Sequence, residues 1–209
     1  MNPLMADVLE CARAMNACGI NRGTAGNVSV RIEGGFIVTP TGMDYAHATA
    51  EDMVFVAMDG SWEGARKPSS EWSFHRDIYA HRPEAGAIVH THAPFATSLA
   101  CLGLEIPAFH YMIARFGGDT IRCADYATFG TQALSDAMLK ALEGRSACLM
   151  AQHGMTVFGR DLDQALAHAV ELEALCEQYW RVLQIGQPRL LPPSEMVTVL
   201  KLFASYGQQ

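Results

Sequence analysis

The stretch Val28-Ser29-Val30-Arg31-Ile32-Glu33-Gly34-Gly35-Phe36-Ile37-Val38-Thr39 decides the fold class. It alternates apolar and polar residues, breaks at a glycine pair and resumes as an apolar run. Two short strands around a Gly-containing turn read as a β-hairpin. A third strand-like run, 54–58, follows closely and ends at Asp59-Gly60. Strands joined by tight turns pair antiparallel, whereas a parallel barrel needs a helix-length crossover between strands. The expectation is a mixed or antiparallel sheet with helices on its faces, and not an eight-stranded α/β barrel.

Working outward, residues 4–18 carry apolar side chains at helical spacing (Leu4, Val8, Cys11, Ala12, Met15) and stop at Gly19. Downstream, 69–82 reads as a helix opened by hydroxyl caps and closed by Pro83. Residues 85–91 form a buried strand and 94–102 a helix with proline at its start. The remaining expectations are a strand at 120–123, a helix at 131–142, strands at 147–152 and 156–158 interrupted by His153-Gly154, a long helix at 162–185 and a last helix at 194–206. With no repeat, low-complexity tract or flexible linker, 1–209 reads as a single α/β domain.

Half of the 209 residues are apolar and 18% are charged, ordinary for a globular chain. The net charge of −7, with no basic run, argues against nucleic-acid binding, which phosphate neutralisation drives. The longest apolar runs fall far short of the ~20 residues of a membrane helix. The first 19 residues hold Asp7, Glu10 and Arg13, so they read as an amphipathic helix and not an export signal, which makes the cytoplasm the expected location. Six cysteines at irregular spacing, without a C-x-x-C pair, read as reduced thiols.

His90-Thr91-His92 ends an apolar strand. Side chains two apart on a strand share a face, so both imidazoles can reach one ion; a polar strand exit is the other reading. Gln152-His153-Gly154 ends a second apolar strand, with a glycine that permits a sharp turn. Three neutral imidazoles with an open fourth position form the pattern of a catalytic zinc. His47, His75, His81 and His168 lack this context and read as solvated or core residues; His110 adjoins Tyr111 and stays open.

Three segments suit an anion: Gly26-Asn27, Thr39-Pro40-Thr41-Gly42 and Pro68-Ser69-Ser70-Glu71. Backbone N–H groups at a helix start, with two hydroxyls, can hold a phosphate without lysine. Plain turns and ordinary helix capping are the alternatives. Glu71 stands where a carboxylate could serve as metal ligand or general base.

These runs, together with His110-Tyr111-Met112-Ile113-Ala114, Gly117-Gly118 and Tyr126-Ala127-Thr128-Phe129-Gly130-Thr131, resemble in order and spacing the class II aldolase/adducin family over nearly the whole chain. The resemblance implies a three-layer α/β fold with a central, mainly antiparallel sheet flanked by helices. It implies a homotetramer with active sites between subunits and one Zn2+ per subunit on His90, His92 and His153. Glu71 then binds zinc at rest and acts as acid/base when substrate arrives. Asn27, Thr41, Gly42, Ser69 and Ser70 match the phosphate pocket. Tyr111 matches a tyrosine that serves a neighbouring subunit's aldehyde oxygen, and Phe129, Phe203 and Tyr206 match the aldehyde side.

The implied reaction is reversible cleavage of a small phosphorylated sugar, a ketose 1-phosphate such as L-fuculose 1-phosphate, into dihydroxyacetone phosphate and an aldehyde. A retro-aldol step needs an electron sink, either a lysine Schiff base or a metal. Lys67, Lys140 and Lys201 are the only lysines, and none reads as a desolvated amine. Relatives cleaving 5-deoxyribulose or 5-methylthioribulose 1-phosphate, and pentulose-phosphate 4-epimerases, are the alternatives; glutamate after Ser69-Ser70 favours an aldolase. A metal-free assembly module, as in adducin heads, is disfavoured by the retained histidines and Glu71.

Overall fold

The computed structural model describes residues 2–205. Eight strands form one sheet: β1 (Asn27–Ile32), β2 (Gly35–Val38), β3 (Val54–Ala57), β4 (Trp62–Glu63), β5 (Ala87–Thr91), β6 (Arg122–Ala124), β7 (Ala147–Met150) and β8 (Gly154–Gly159). Their order is β4-β3-β2-β1-β5-β8-β7-β6. Only β6 and β7 pair parallel; every other neighbour is antiparallel. The hairpin that decided the class closes with Ile32 opposite Gly35, leaving Glu33 and Gly34 as a two-residue turn. Gly34, the second turn residue, has φ +78°, a left-handed conformation that glycine adopts without strain.

Among the described residues six helices cover the sheet: α1 (Leu4–Ala17), α2 (Trp72–His81), α3 (Pro94–Cys101), α4 (Gln132–Ala141), α5 (Leu162–Ile185) and α6 (Pro193–Ser205). Alternation along the strands divides the core in two. Val28, Val30, Ile37, Val89, Leu149 and Val157 pack with α1, α3 and α5. Phe36, Val56, Ile88, Cys148 and Phe158 face α2 and α4. Fully burying one such side chain stabilises by about 1.5–3 kcal/mol, so both layers are needed to hold the sheet.

The chain departs from the sequence expectations in three places. Helix α2 begins at Trp72, not at 69, because the chain before it is tied to another strand exit. Ser69 N–H donates to Thr39 O at 3.0 Å and Thr41 N–H to Lys67 O at 3.1 Å, around a bridge between Pro40 and Pro68. An extended, paired segment cannot also be helical. Strand β4 carried no apolar pattern, since Trp62 and Glu63 are both exposed. A 3-10 segment at Tyr111–Phe116 is opened by His110, whose Nδ1 accepts from Met112 N–H at 3.2 Å. Among the described residues no helix is long and apolar enough to cross a membrane.

Candidate metal centre and anion cleft

The centre forms where β5 and β7 end and α2 begins. On β5, His90 lies opposite Asn27 of β1 and Thr156 of β8. His92 follows two residues later at the strand exit, on the same side. His153 arrives from the turn between β7 and β8, where Met150 pairs with Gly154. Gln152 absorbs the sharp bend, with φ +51°. Gly154 has another function: a Cβ there would sit 2.4 Å from Thr91 O and 3.0 Å from a His92 ring carbon. The glycine therefore admits β8 beside β5, and the sharp turn expected of it falls on Gln152.

One nitrogen from each of the three rings lies within 4.8 Å of the other two, so the group could hold a metal ion. Ring centroids are 4.9–5.1 Å apart. His90 is fully buried, His153 is partly covered and His92 stands exposed at the rim. Glu71, the residue just before α2, spans the pair: Oε2 lies 3.2 Å from His90 Nε2 and Oε1 lies 3.1 Å from His153 Nε2.

The polarity of these contacts tests whether a cation belongs here. His90 Nδ1 donates to the Met155 carbonyl at 2.9 Å, which leaves a bare lone pair on Nε2. That lone pair faces a carboxylate, which can only accept. His90 Nε2 is buried with no hydrogen-bond partner although Glu71 Oε2 lies against it, and Glu71 Oε1, which faces His153 Nε2, is likewise buried and unpartnered. Buried acceptors facing one another are costly unless a positive charge joins them. Imidazole nitrogens and a carboxylate oxygen are the donor set of a zinc site, and His90 has the backbone partner that typically fixes a ligand's tautomer. The residues fit a divalent ion.

Charge states agree. Burial pushes the Glu71 carboxyl up, but positive charge at the His90 and His153 positions beside it outweighs burial and holds the carboxyl well below its usual range; with both rings neutral, a divalent ion is what would supply that charge. Burial, with His90 and His153 beside it, lowers the His92 imidazole to about 4, so at neutral pH it is free of a proton that would block a metal.

An open cleft of about 340 Å³ lies against this cluster. Asn27, Thr41, Gly42, Ser69 and Ser70 all line it, as do Glu71, His92, His153 and Phe129. The bridge between the two loops consumes the Thr41 and Ser69 N–H groups. Among the described residues the Gly42 and Ser70 N–H groups have no protein acceptor. Tyr111 is not part of this cleft: it is 51% exposed and stacks at 6.4 Å on Phe203 of α6. Tyr206 lies outside the described residues. All three lysines are exposed.

The sequence reading missed three residues behind Glu71. His75 is fully buried and its Nε2 meets Asn27 Oδ1 at 2.5 Å, while Asn27 Nδ2 donates to Glu71 Oε2 at 3.0 Å. Ser29 Oγ joins His75 Nδ1 at 2.7 Å and Tyr79 OH at 2.8 Å. A signal was present: 71, 75 and 79 share one helical stripe, and 27 and 29 one strand face. Thr24 and Tyr126, which also line the cleft, carried no comparable signal.

Comparison with known proteins bears on this arrangement. Residues 6–180 match the model of the class II aldolase and adducin N-terminal domain. A Rhodospirillum rubrum protein named 5-methylthioribulose-1-phosphate/5-deoxyribulose-1-phosphate aldolase is 56% identical, over 96% of this chain and 90% of its own length. An Escherichia coli L-fuculose phosphate aldolase is 43% identical over 99% of this chain and 96% of its own. A solved structure titled L-fuculose 1-phosphate aldolase superposes with a TM-score of 0.94 at 35% identity, covering 98% of this chain and 97% of that one. With the family model spanning most of the chain and full-length aldolases this similar, the chain belongs to the class II aldolase/adducin family, and it is one of the family's aldolases.

Proposed function

We propose that this chain reversibly splits a ketose 1-phosphate into dihydroxyacetone phosphate and a short aldehyde, using one Zn2+ on His90, His92 and His153 with Glu71 as ligand at rest. The observation that carries this reading is the buried, unpartnered His90 Nε2 held 3.2 Å from a Glu71 carboxylate whose other oxygen is also unpartnered, beside a cleft lined with hydroxyls and free N–H groups. A divalent cation there supplies Lewis-acid withdrawal of electrons from the substrate carbonyl as the carbon–carbon bond breaks. Glu71 takes and returns the proton at the dihydroxyacetone phosphate carbon that enters the bond. Thr41, Gly42, Ser69, Ser70 and the second Asn27 amide hydrogen hold the phosphate. Exposed lysines leave no desolvated amine for Schiff-base chemistry.

For the sugar we favour 5-deoxyribulose or 5-methylthioribulose 1-phosphate. The 56% identity to the R. rubrum protein of that name supports this. L-Fuculose 1-phosphate is the second reading, supported by the 43% identity and the 0.94 superposition. Tyr111 supports an assembly: half exposed and outside its own cleft, it would act on an aldehyde oxygen in a neighbouring subunit of a homotetramer, with Phe203 beside it and Phe129 on the cleft side. Six free thiols support a cytoplasmic location.

The test is a panel of ketose 1-phosphates with detection of released dihydroxyacetone phosphate, with and without chelator. The pentulose phosphates are expected to give the highest kcat/KM, and chelation to abolish release. Glu71→Gln should lower kcat by roughly 10²–10⁴-fold, the range for a general acid/base, while most bound metal survives. A metal-loaded protein that cleaves no ketose 1-phosphate, or a fully active Glu71→Gln enzyme, overturns the reading.

A further inference from the structure

The buried residues behind Glu71 form a hydrogen-bond chain whose direction is fixed at every link. Asn27 donates Nδ2–H to the Glu71 carboxylate oxygen Oε2 at 3.0 Å. Asn27 Oδ1 then faces His75 Nε2 at 2.5 Å, and Nε2 must carry the proton. Complete burial pushes the His75 imidazole down to about 3, so the ring is neutral and its Nδ1 is an acceptor. Ser29 must therefore donate its only proton to Nδ1 at 2.7 Å and accept from Tyr79 OH at 2.8 Å. Burial pushes the Tyr79 phenol well up, which keeps it a donor, and the Arg31 guanidinium packs 4.7 Å over its ring. Tyr79, Ser29, His75 and Asn27 thus all donate toward one carboxylate oxygen.

We propose that His75, in its Nε2–H tautomer, is a positioning residue that holds Glu71 Oε2 in place through Asn27, with Ser29 and Tyr79 fixing that tautomer. The inference rests on the reading of Glu71 as the proton-transfer group. A carboxylate that alternates between ligand and base needs one oxygen anchored while the other is released. Oε2 has the Asn27 anchor, and Oε1 has no hydrogen-bond partner. Hydrogen bonds in a row polarise one another, so the Tyr79 end also strengthens the last donor.

Two measurements test this. Imidazole 15N spectra of the intact, metal-loaded protein should report a pyrrole-type Nε2 and a pyridine-type Nδ1 for His75; the opposite tautomer overturns the proposal and needs no variant. His75→Leu should lower kcat tenfold or more, in the range of outer-shell substitutions at metal sites, with bound metal unchanged and KM within about threefold. His75→Gln keeps an N–H near the Nε2 position and should recover most of that kcat, with Ser29→Ala falling between Leu and wild type. If Leu and Gln are equally impaired, or if only KM moves, the ring is merely structural and the proposal fails. Glu71→Gln, measured in parallel, separates the two claims. An active Glu71→Gln enzyme removes the proton-transfer reading, whereas an inactive one beside a fully active His75→Leu removes only the positioning role.

Discussion

Gly154 shows how a single missing side chain makes room for the centre. The Cβ it lacks would lie 2.4 Å from Thr91 O and 3.0 Å from the His92 ring, both on the strand that delivers two of the three imidazoles. Backbone atoms cannot yield as a flexible side-chain end can. Gly154→Ala is therefore expected to cost about 1–3 kcal/mol, the range for overpacking a filled interior, and to shift His92 away from its partners. Urea midpoints and metal stoichiometry on the same preparation check this. An alanine variant with wild-type stability and full metal content would mean that β8 can retreat without disturbing β5. Gln152, at φ +51°, complements this glycine: strain accepted at one residue turns His153 inward.

At the scale of elements, the site depends on a match between two repeats. Four residues along a helix climb about 6 Å, and two along a strand about 6.8 Å. Glu71, His75 and Tyr79 at the start and along α2 therefore stay level with Asn27 and Ser29 along β1, and each pair meets within hydrogen-bond distance or through one intervening side chain. The β7–β8 hairpin contributes through its length. With Met150 opposite Gly154, its three-residue turn leaves His153 facing His90. Inserting one glycine after Ala151 should leave the sheet intact, because both strands keep their registers on β5 and β6. His153 would swing off the cluster and metal affinity should drop tenfold or more, as expected when a ligand is lost. Far-UV circular dichroism and a metal titration read the two effects separately. Unchanged affinity would mean that His153 is not a ligand.

At the scale of the whole molecule, buried neutral groups link stability to pH. In the folded chain His75 titrates at about 3, against 6.5 for an unhindered imidazole. Below 6.5 the unfolded chain takes up a proton that the folded chain refuses, so stability falls as pH drops from 6.5 towards 3. The slope from this ring approaches about 1.4 kcal/mol for each pH step of one, and His92, lowered to about 4 but partly exposed, adds a smaller loss of the same sign. Glu71, held low, adds loss of the same sign below its usual 4.5. Urea unfolding of the metal-free protein at pH 7.5, 6 and 5 should give flat stability at the top of this range and a fall below it; a midpoint that rises on acidification would contradict a neutral His75. Much of the fold was legible without coordinates. Two-residue alternation, the glycine turn at 33–35 and helical spacing in 4–18 and 162–185 are local patterns, and local sterics and one-sided burial enforce them. The histidine trio that could hold a metal, and the loops that line the cleft, stood out through residue types that few other functions combine. What remained hidden was non-local. The tie between Pro40 and Pro68 shortens α2, and the position of Tyr111 outside its own cleft depends on α6 packing beside it. His75 read as an ordinary buried histidine, because a hydrogen-bond chain exists only once α2 lies across β1. The sequence by itself determined which elements form and which donor atoms are available. Only the tertiary structure decided which of those donors face one another, because that depends on the distance between segments far apart in the chain.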